Sequence, residues 1–331
     1  MLGRQATEEK MTISTKLTVR LGIEHPVMLA PMGFVSGGEL AAAVSAAGGF
    51  GIIGGGYGDA DWLKREFSNV GNRPIGCGFI TWSLTERAAL LDIALSHQPA
   101  AIMLSFGDAA PFLPRIKRAG VLAICQVQTL AQDRAVLAEG VDIIVAQGAE
   151  AGRHIGSRST LPLVPAVADM VASSSRSVLV VAAGGITDGR GLAAALMLGA
   201  DGVLMGTRFS VASESLASMG AKARVVAASG DDTLRTSVFD IVRGYTWPTE
   251  YTGRAVSNRF SGVWHGREDS LAVDEAQRAR YADAAARGDA DIAVVFAGEG
   301  IDLIHAVEPA AQILDCVIRE AEVALGQRFS S

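Results

Sequence analysis

Apolar residues recur along this chain in short, nearly unbroken runs rather than in alternation. Eight runs, at 27–32, 49–54, 75–80, 101–105, 121–127, 141–147, 179–183 and 202–206, predict strands covered on both faces. Alanine-rich segments of helical period separate them, as at 38–47, 85–97, 130–139 and 189–198. Repeated strand–helix units build a parallel sheet, and eight units close a (β/α)8 TIM barrel. A doubly wound sheet is the competing arrangement. Its expected phosphate loop would be Gly51-Ile-Ile-Gly-Gly-Gly-Tyr-Gly-Asp59, which is not a clean Gly-x-Gly-x-x-Gly opening a helix, so this loop is expected to line the top of a barrel.

The pattern changes after Phe209. A helix is expected over 213–228, a break at Ser229-Gly-Asp-Asp232, and irregular or extended chain over 237–264, where Pro248, Gly253 and Gly262 interrupt any period. Two further helices are expected over 270–287 and 301–325. The α/β architecture predicted is therefore a barrel from 15–228 with 296–327 as flanking helices, and 229–295 as a helical and irregular cap.

Composition narrows the picture. The 331 residues suit a barrel with additions. Hydrophobic residues make up 49% and aromatic residues only 6%, which fits parallel strands under alanine-rich helices. The net charge of −6, with no dense Lys/Arg cluster, excludes a nucleic-acid footprint. The longest apolar stretch, 178–186, is far short of the roughly 20 residues that span a bilayer. The first ten residues are polar and do not read as a secretory signal, and Met11 is an alternative start. Cys77, Cys125 and Cys316 are odd in number and show no metal or redox spacing. The first two read as buried hydrophobes of a reduced, cytoplasmic protein. The C-terminal helices offer a surface for a homo-oligomer.

In a barrel the chemistry sits at the C-terminal ends of the strands. His154 follows the sixth strand in a loop loosened by Gly148 and Gly152, with small neighbours Ala149 and Ala151. A neutral imidazole there takes a proton from carbon or returns one; the plain alternative is a surface histidine beside Arg153. Glu150 either orients this loop or is solvated. Gly184-Gly185 after the seventh strand and Gly206-Thr207 after the eighth match the common barrel phosphate site, built from backbone N–H groups. Arg208 either adds charge there or pairs with a carboxylate. Ala30-Pro31-Met32-Gly33, ending strand one, would lie against a flat ring. Gln126 and Gln147 would hydrogen-bond ring heteroatoms or satisfy backbone groups. A base on one loop and a phosphate grip on two others point to a flavin enzyme. His25, His97 and His305 read as structural, and His265 as a residue that reaches the pocket from the cap. No metal-ligand spacing is present, so no metal is expected.

Pro26-Val-Met-Leu-Ala-Pro-Met32, Glu39-Leu-Ala-Ala-Ala-Val-Ser-Ala-Ala-Gly-Gly49, Gln147-Gly-Ala-Glu-Ala-Gly-Arg-His154, Ala183-Gly-Gly-Ile186 and Gly199-Ala-Asp-Gly-Val-Leu-Met-Gly-Thr-Arg-Phe209 together resemble nitronate monooxygenases, formerly 2-nitropropane dioxygenases. The resemblance covers roughly residues 20–265. It implies a barrel holding FMN non-covalently in contact with Ala151 and Gly152 besides the residues named above. It also implies that His154 removes the proton alpha to a nitro group, and that electrons pass through the flavin to O2. Three departures stand out: Arg153 replaces the second glycine before the histidine, strand three reads Gly76-Cys-Gly-Phe79 without an asparagine, and Phe296-Ala-Gly-Glu-Gly-Ile-Asp302 lacks a tyrosine and lysine. The superfamily also includes NAD(P)H:quinone reductases and an FMN-dependent enoyl-acyl-carrier-protein reductase. An NAD(P)H-dependent reductase is therefore the second expectation, and a non-catalytic flavin- or phosphate-binding barrel the third.

Overall fold

The computed structural model describes residues 13–326, so the readings of the first ten residues and of Met11, and the last predicted barrel residue, Gln327, lie outside it. Eight parallel strands form one sheet: β1 (Val27–Leu29), β2 (Ile52–Gly54), β3 (Gly76–Ile80), β4 (Ala101–Ser105), β5 (Leu122–Val127), β6 (Ile143–Gln147), β8 (Leu179–Ala183) and β9 (Gly202–Met205). The order β1-β9-β8-β6-β5-β4-β3-β2 is joined end to end by a parallel bridge between Met28 and Phe50. This is the (β/α)8 barrel the eight apolar runs predict.

Side chains alternate along each strand, so one set fills the interior and the other meets the helices. Met28, Met103, Ile124, Val145 and Val181 pack with Phe50 inside the barrel, and Leu17 from the helix Lys16–Leu21 closes the bottom. Each such fully buried side chain contributes about 1.5–3 kcal/mol relative to exposure. Ile102, Cys125, Ile144 and Ala182 face outward into the larger core under the helices.

A second sheet lies outside the barrel. Its antiparallel strands run β10 (Thr233–Thr236), β11 (Thr252–Val256), β7 (Arg153–Ile155), so the loop that follows β6 contributes an edge strand to it. The expectation of irregular chain over 237–264 is corrected: helices Val238–Arg243 and Arg259–Trp264 flank β11. The elements are only five or six residues long, too short for a period to show.

Other elements are shorter than expected. The segment 85–97 is two helices, Thr81–Glu86 and Ala89–Ser96, broken where Arg87 leaves helical geometry and donates to the carbonyls of Tyr57 and Gly58. The helix of 213–228 is confined to Met219–Ala227, and that of 270–287 is split into Glu268–Ala272 and Glu275–Ala286. The last helix is Ala310–Gly326, beginning after Pro309, as a proline disfavours helical geometry in the residue before it. His305 consequently lies exposed in the connection before that helix rather than within it. No helix among the described residues is long and apolar enough to cross a membrane.

Candidate active site

Strand parity builds the site. Above the apolar interior, the next inward positions on β4, β5 and β6 are Ser105, Gln126 and Gln147, and these line the floor of a cavity of about 900 Å³. Gln147 Oε1 accepts from Gln126 Nε2 at 3.0 Å and from Gln128 Nε2 at 2.9 Å, leaving its own amide N–H groups as donors. Ala30, Pro31, Met32 and Gly33 after β1, Ala151 and Gly152 after β6, and Gly184, Gly185, Gly206 and Thr207 after β8 and β9 line the same cavity, as does His154. The chain thus brings His154 and these candidate cofactor residues to one cavity.

Glycine is required at the cradle. Gly184 and Gly185 adopt φ of 108° and 69°, and a Cβ on Gly184 would sit 2.8 Å from Thr160 Oγ1 and 2.9 Å from the Gly148 carbonyl. Glu150 fastens this corner: its carboxylate accepts from the Thr160 backbone N–H at 2.9 Å and lies 2.8 Å from the Thr160 hydroxyl. Gly206 precedes the short helix Thr207–Ser210, whose first-turn N–H groups have no partner within the helix. Thr207 Oγ1 accepts from the Gly298 N–H at 3.0 Å. Arg208 does not join this grip; it pairs with Glu308 at 2.5 Å. At strand three, a Cβ on Gly78 would lie 2.4 Å from the Pro31 ring, so the strand-one loop takes the space a side chain there would fill.

His154 sits on β7, paired with Gly253 of β11, and is 4% exposed. Its Nε2 is 2.8 Å from Asp240 Oδ2 on the helix Val238–Arg243. One face of the imidazole is covered by Trp247, at 3.3 Å between ring centres and 7° between planes. Trp247 Nε1 donates to the Tyr57 hydroxyl at 3.0 Å, Tyr57 stacks on Tyr245 at 3.8 Å, and the Arg243 guanidinium lies 4.7 Å over the Tyr245 ring. Arg153 has a left-handed φ of 62°; its Nη2 donates to the Gly33 carbonyl at 2.8 Å, and its guanidinium lies over Phe296. The residue is therefore turned across the mouth and held to the strand-one loop rather than solvated.

Burial governs the titration of these groups. It holds His154 below its ordinary value, opposed by the hydrogen bond and charge of Asp240 and reinforced by Arg153 and Arg243. Burial also lowers Arg153 to about 10 and raises the Tyr57 phenol to about 12. The histidine is accordingly neutral at neutral pH.

Asp240, Arg243 and Trp247 are cavity or histidine neighbours that sequence reasoning missed, whereas Tyr57 lies in the loop expected at the top of the barrel. A signal existed for the first two: Ser237 precedes Val238-Phe-Asp-Ile-Val-Arg243, and Gly244 follows in left-handed geometry, φ 74°, the mark of a helix C-terminus. The remaining histidines lie elsewhere. His97 ends its helix and stacks on Phe67, and His25 is buried before β1. His265 contacts Thr236 and Glu268 outside the cavity, which corrects the expectation that it reaches the pocket.

Comparisons with known proteins agree with this geometry. The family model described as nitronate monooxygenase matches residues 14–79 and 81–320. A nitronate monooxygenase of Neurospora crassa is 32% identical, with 90% of each chain aligned. A (3aS,4S,5R,7aS)-5-hydroxy-7a-methyl-1-oxo-octahydro-1H-indene-4-carboxyl-CoA dehydrogenase of Mycobacterium tuberculosis is 35% identical over 70% of this chain, and the match spans 65% of that enzyme's length. The solved structure of FabK from Thermotoga maritima superposes with a TM-score of 0.81 at 30% identity, covering 95% of this chain and 98% of that one. Matched along nearly its whole length and built on the same barrel, the chain belongs to the nitronate monooxygenase family and is a flavin oxidoreductase.

Proposed function

We propose that the cavity holds FMN and that the protein oxidises alkyl nitronates, or related carbanions, with O2, His154 acting as general base that forms them from the neutral parent compound. The observation that carries this reading is a buried, neutral imidazole lining the same cavity as the glycines Gly184, Gly185 and Gly206. The cavity fits the cofactor. Its volume lies at the upper end of the roughly 300–1,000 Å³ typical of ligand sites, and Gly184, Gly185 and Gly206 line it with backbone that would offer N–H groups to a phosphate. Gly184, Gly185, Gly206 and Thr207 would hold the phosphate, Gln126 and Gln147 the polar edge of the ring, and Ala30 to Gly33 with Ala151 and Gly152 its flank. Bound there, FMN supplies a two-electron acceptor.

The chain's own residues do the rest. His154 accepts the proton alpha to the nitro group, and the C–H electron pair stays on the substrate, delocalised into that group. Arg153 and Arg243 place positive charge beside the developing anion. The segment 229–295 acts as the cap, since Arg243, Tyr245 and Trp247 close the cavity from outside the barrel.

A second reading, reduction of a quinone or enoyl substrate by NAD(P)H, draws support from the platform of Tyr57, Tyr245 and Trp247, on which a second planar ring can stack. Anaerobic addition of a nitronate and, separately, of NADH to the purified yellow protein separates the two. Bleaching of the flavin bands by the nitronate supports the first reading; bleaching by NADH alone overturns it. A colourless protein that takes up no added FMN removes both and leaves a phosphate-binding barrel.

A further inference from the structure

We propose that Asp240 is the positioning residue of the base: it holds His154 through Nε2, turns Nδ1 toward the substrate, and supports the imidazolium when the proton arrives. The inference rests on the reading of His154 as general base. A carboxylate only accepts hydrogen bonds, so the 2.8 Å contact puts the ring proton on Nε2 and the lone pair on Nδ1. Both partners are buried, at 4% and 5% side-chain exposure. Trp247 lies flat on one ring face and closes that face to a substrate.

The charges around the ring show what Asp240 adds. From the barrel loop His154 is faced by Arg153; from the cap helix it is faced by Asp240 and Arg243; Tyr57, raised to about 12, stays neutral. Among the described residues Asp240 is the one anion acting on the imidazole, against two cations and the effect of burial. Its second oxygen, Oδ1, is buried without a hydrogen-bond partner among the described residues, an arrangement that costs stability. Its hydrogen bonding is directed at the histidine, with no other donor to the carboxylate among the described residues. In the step it assists, the substrate C–H bond breaks and the proton forms Nδ1–H. The electron pair remains on the substrate carbon, delocalised into its electron-withdrawing group, and the new positive charge on the ring faces Asp240.

The test compares Asp240→Asn and Asp240→Glu with wild type as flavin-loaded protein. It uses NMR titration of the histidine ring, assigned with His154→Gln, and turnover of a neutral nitroalkane beside its preformed nitronate. The nitronate needs no deprotonation. In Asp240→Asn the ring midpoint is expected to fall by about one pH unit or more. The kcat on the nitroalkane should drop about a hundredfold, with KM and nitronate turnover held within about threefold. Asp240→Glu, which keeps the charge, should recover most of the loss, and it serves as the second variant should the asparagine form fold poorly. An unchanged or raised midpoint, or an equal loss on both substrates, overturns the proposal. A wild-type protein that oxidises neither substrate overturns the functional reading instead, while the ring titration still decides the role of Asp240.

Discussion

In the proposed reaction His154 would serve as a base because its environment keeps it unprotonated while leaving one nitrogen without a protein partner among the described residues. Burial is the largest influence on it and lowers its proton affinity. The active form is the neutral one, so kcat/KM on a neutral nitroalkane rises with pH only until the ring has lost its proton. With that midpoint below the ordinary value near 6.5, the plateau should extend to pH values under 6.5. An acid limb at or above the ordinary histidine value would show that burial does not dominate. His154→Gln should lower nitroalkane turnover by about 10²–10⁴-fold while the flavin spectrum persists. A second buried group, Asp133, affects stability rather than catalysis. Neither of its carboxylate oxygens has a hydrogen-bond partner among the described residues, and burial raises its pKa to about 6. A raised carboxyl favours the folded state below its unfolded value, near 3.9, and that advantage is lost as pH climbs through about 6. Asp133→Asn should therefore raise Tm at pH 7–8 and flatten the decline of Tm between about pH 4 and 6, as thermal melts across that range would show.

At the scale of elements, the barrel was legible and the cap largely was not. Residues such as Ile143, Ile144 and Val145 are apolar in succession because helices cover one face and the barrel interior the other. That pattern survives without any knowledge of contacts, and with it come the strand ends where Gln147, Gly184 and Gly206 stand. The helix Val238–Arg243 is different: at six residues it shows no repeat, and Asp240 meets His154 across 86 positions of sequence. Nothing local encodes that meeting. Arg153 was legible as an oddity, yet its bond to the Gly33 carbonyl depends on the closing of the barrel. The glycine cradle yields a prediction at this scale. Gly184→Ala puts a methyl in a left-handed backbone position, within 3 Å of Thr160 Oγ1 and the Gly148 carbonyl. It should cost about 1–3 kcal/mol in strain and weaken flavin retention. The flavin-to-protein ratio after gel filtration reads this directly, and a stoichiometric ratio in the variant would count against the cradle.

Over the whole molecule, His154 belongs to two structures at once. The loop after β6 is anchored in the barrel through Glu150, but the three residues that carry His154 are a strand of the outer sheet. Arg254 on β11 is the tie between the two. Its side chain, 10% exposed, pairs with Glu299 at 2.6 Å, donates through Nη1 to Thr233 at 3.0 Å, and donates through Nη2 to the Ala149 carbonyl at 3.2 Å. Removing it leaves the Ala149 carbonyl without that donor and loosens β7 from below. Arg254→Ala should cost about 1–3 kcal/mol, a fall in Tm of several degrees. Misplacing the imidazole should also lower kcat on a neutral nitroalkane about ten- to a hundredfold, even with flavin saturating. Arg319→Ala, which breaks an exposed pair with Asp315 on the last helix, is the control and should change neither quantity appreciably. If Arg254→Ala lowers Tm but leaves kcat at the wild-type level, the outer sheet holds the fold together without placing the base, and His154 is positioned by the barrel loop alone.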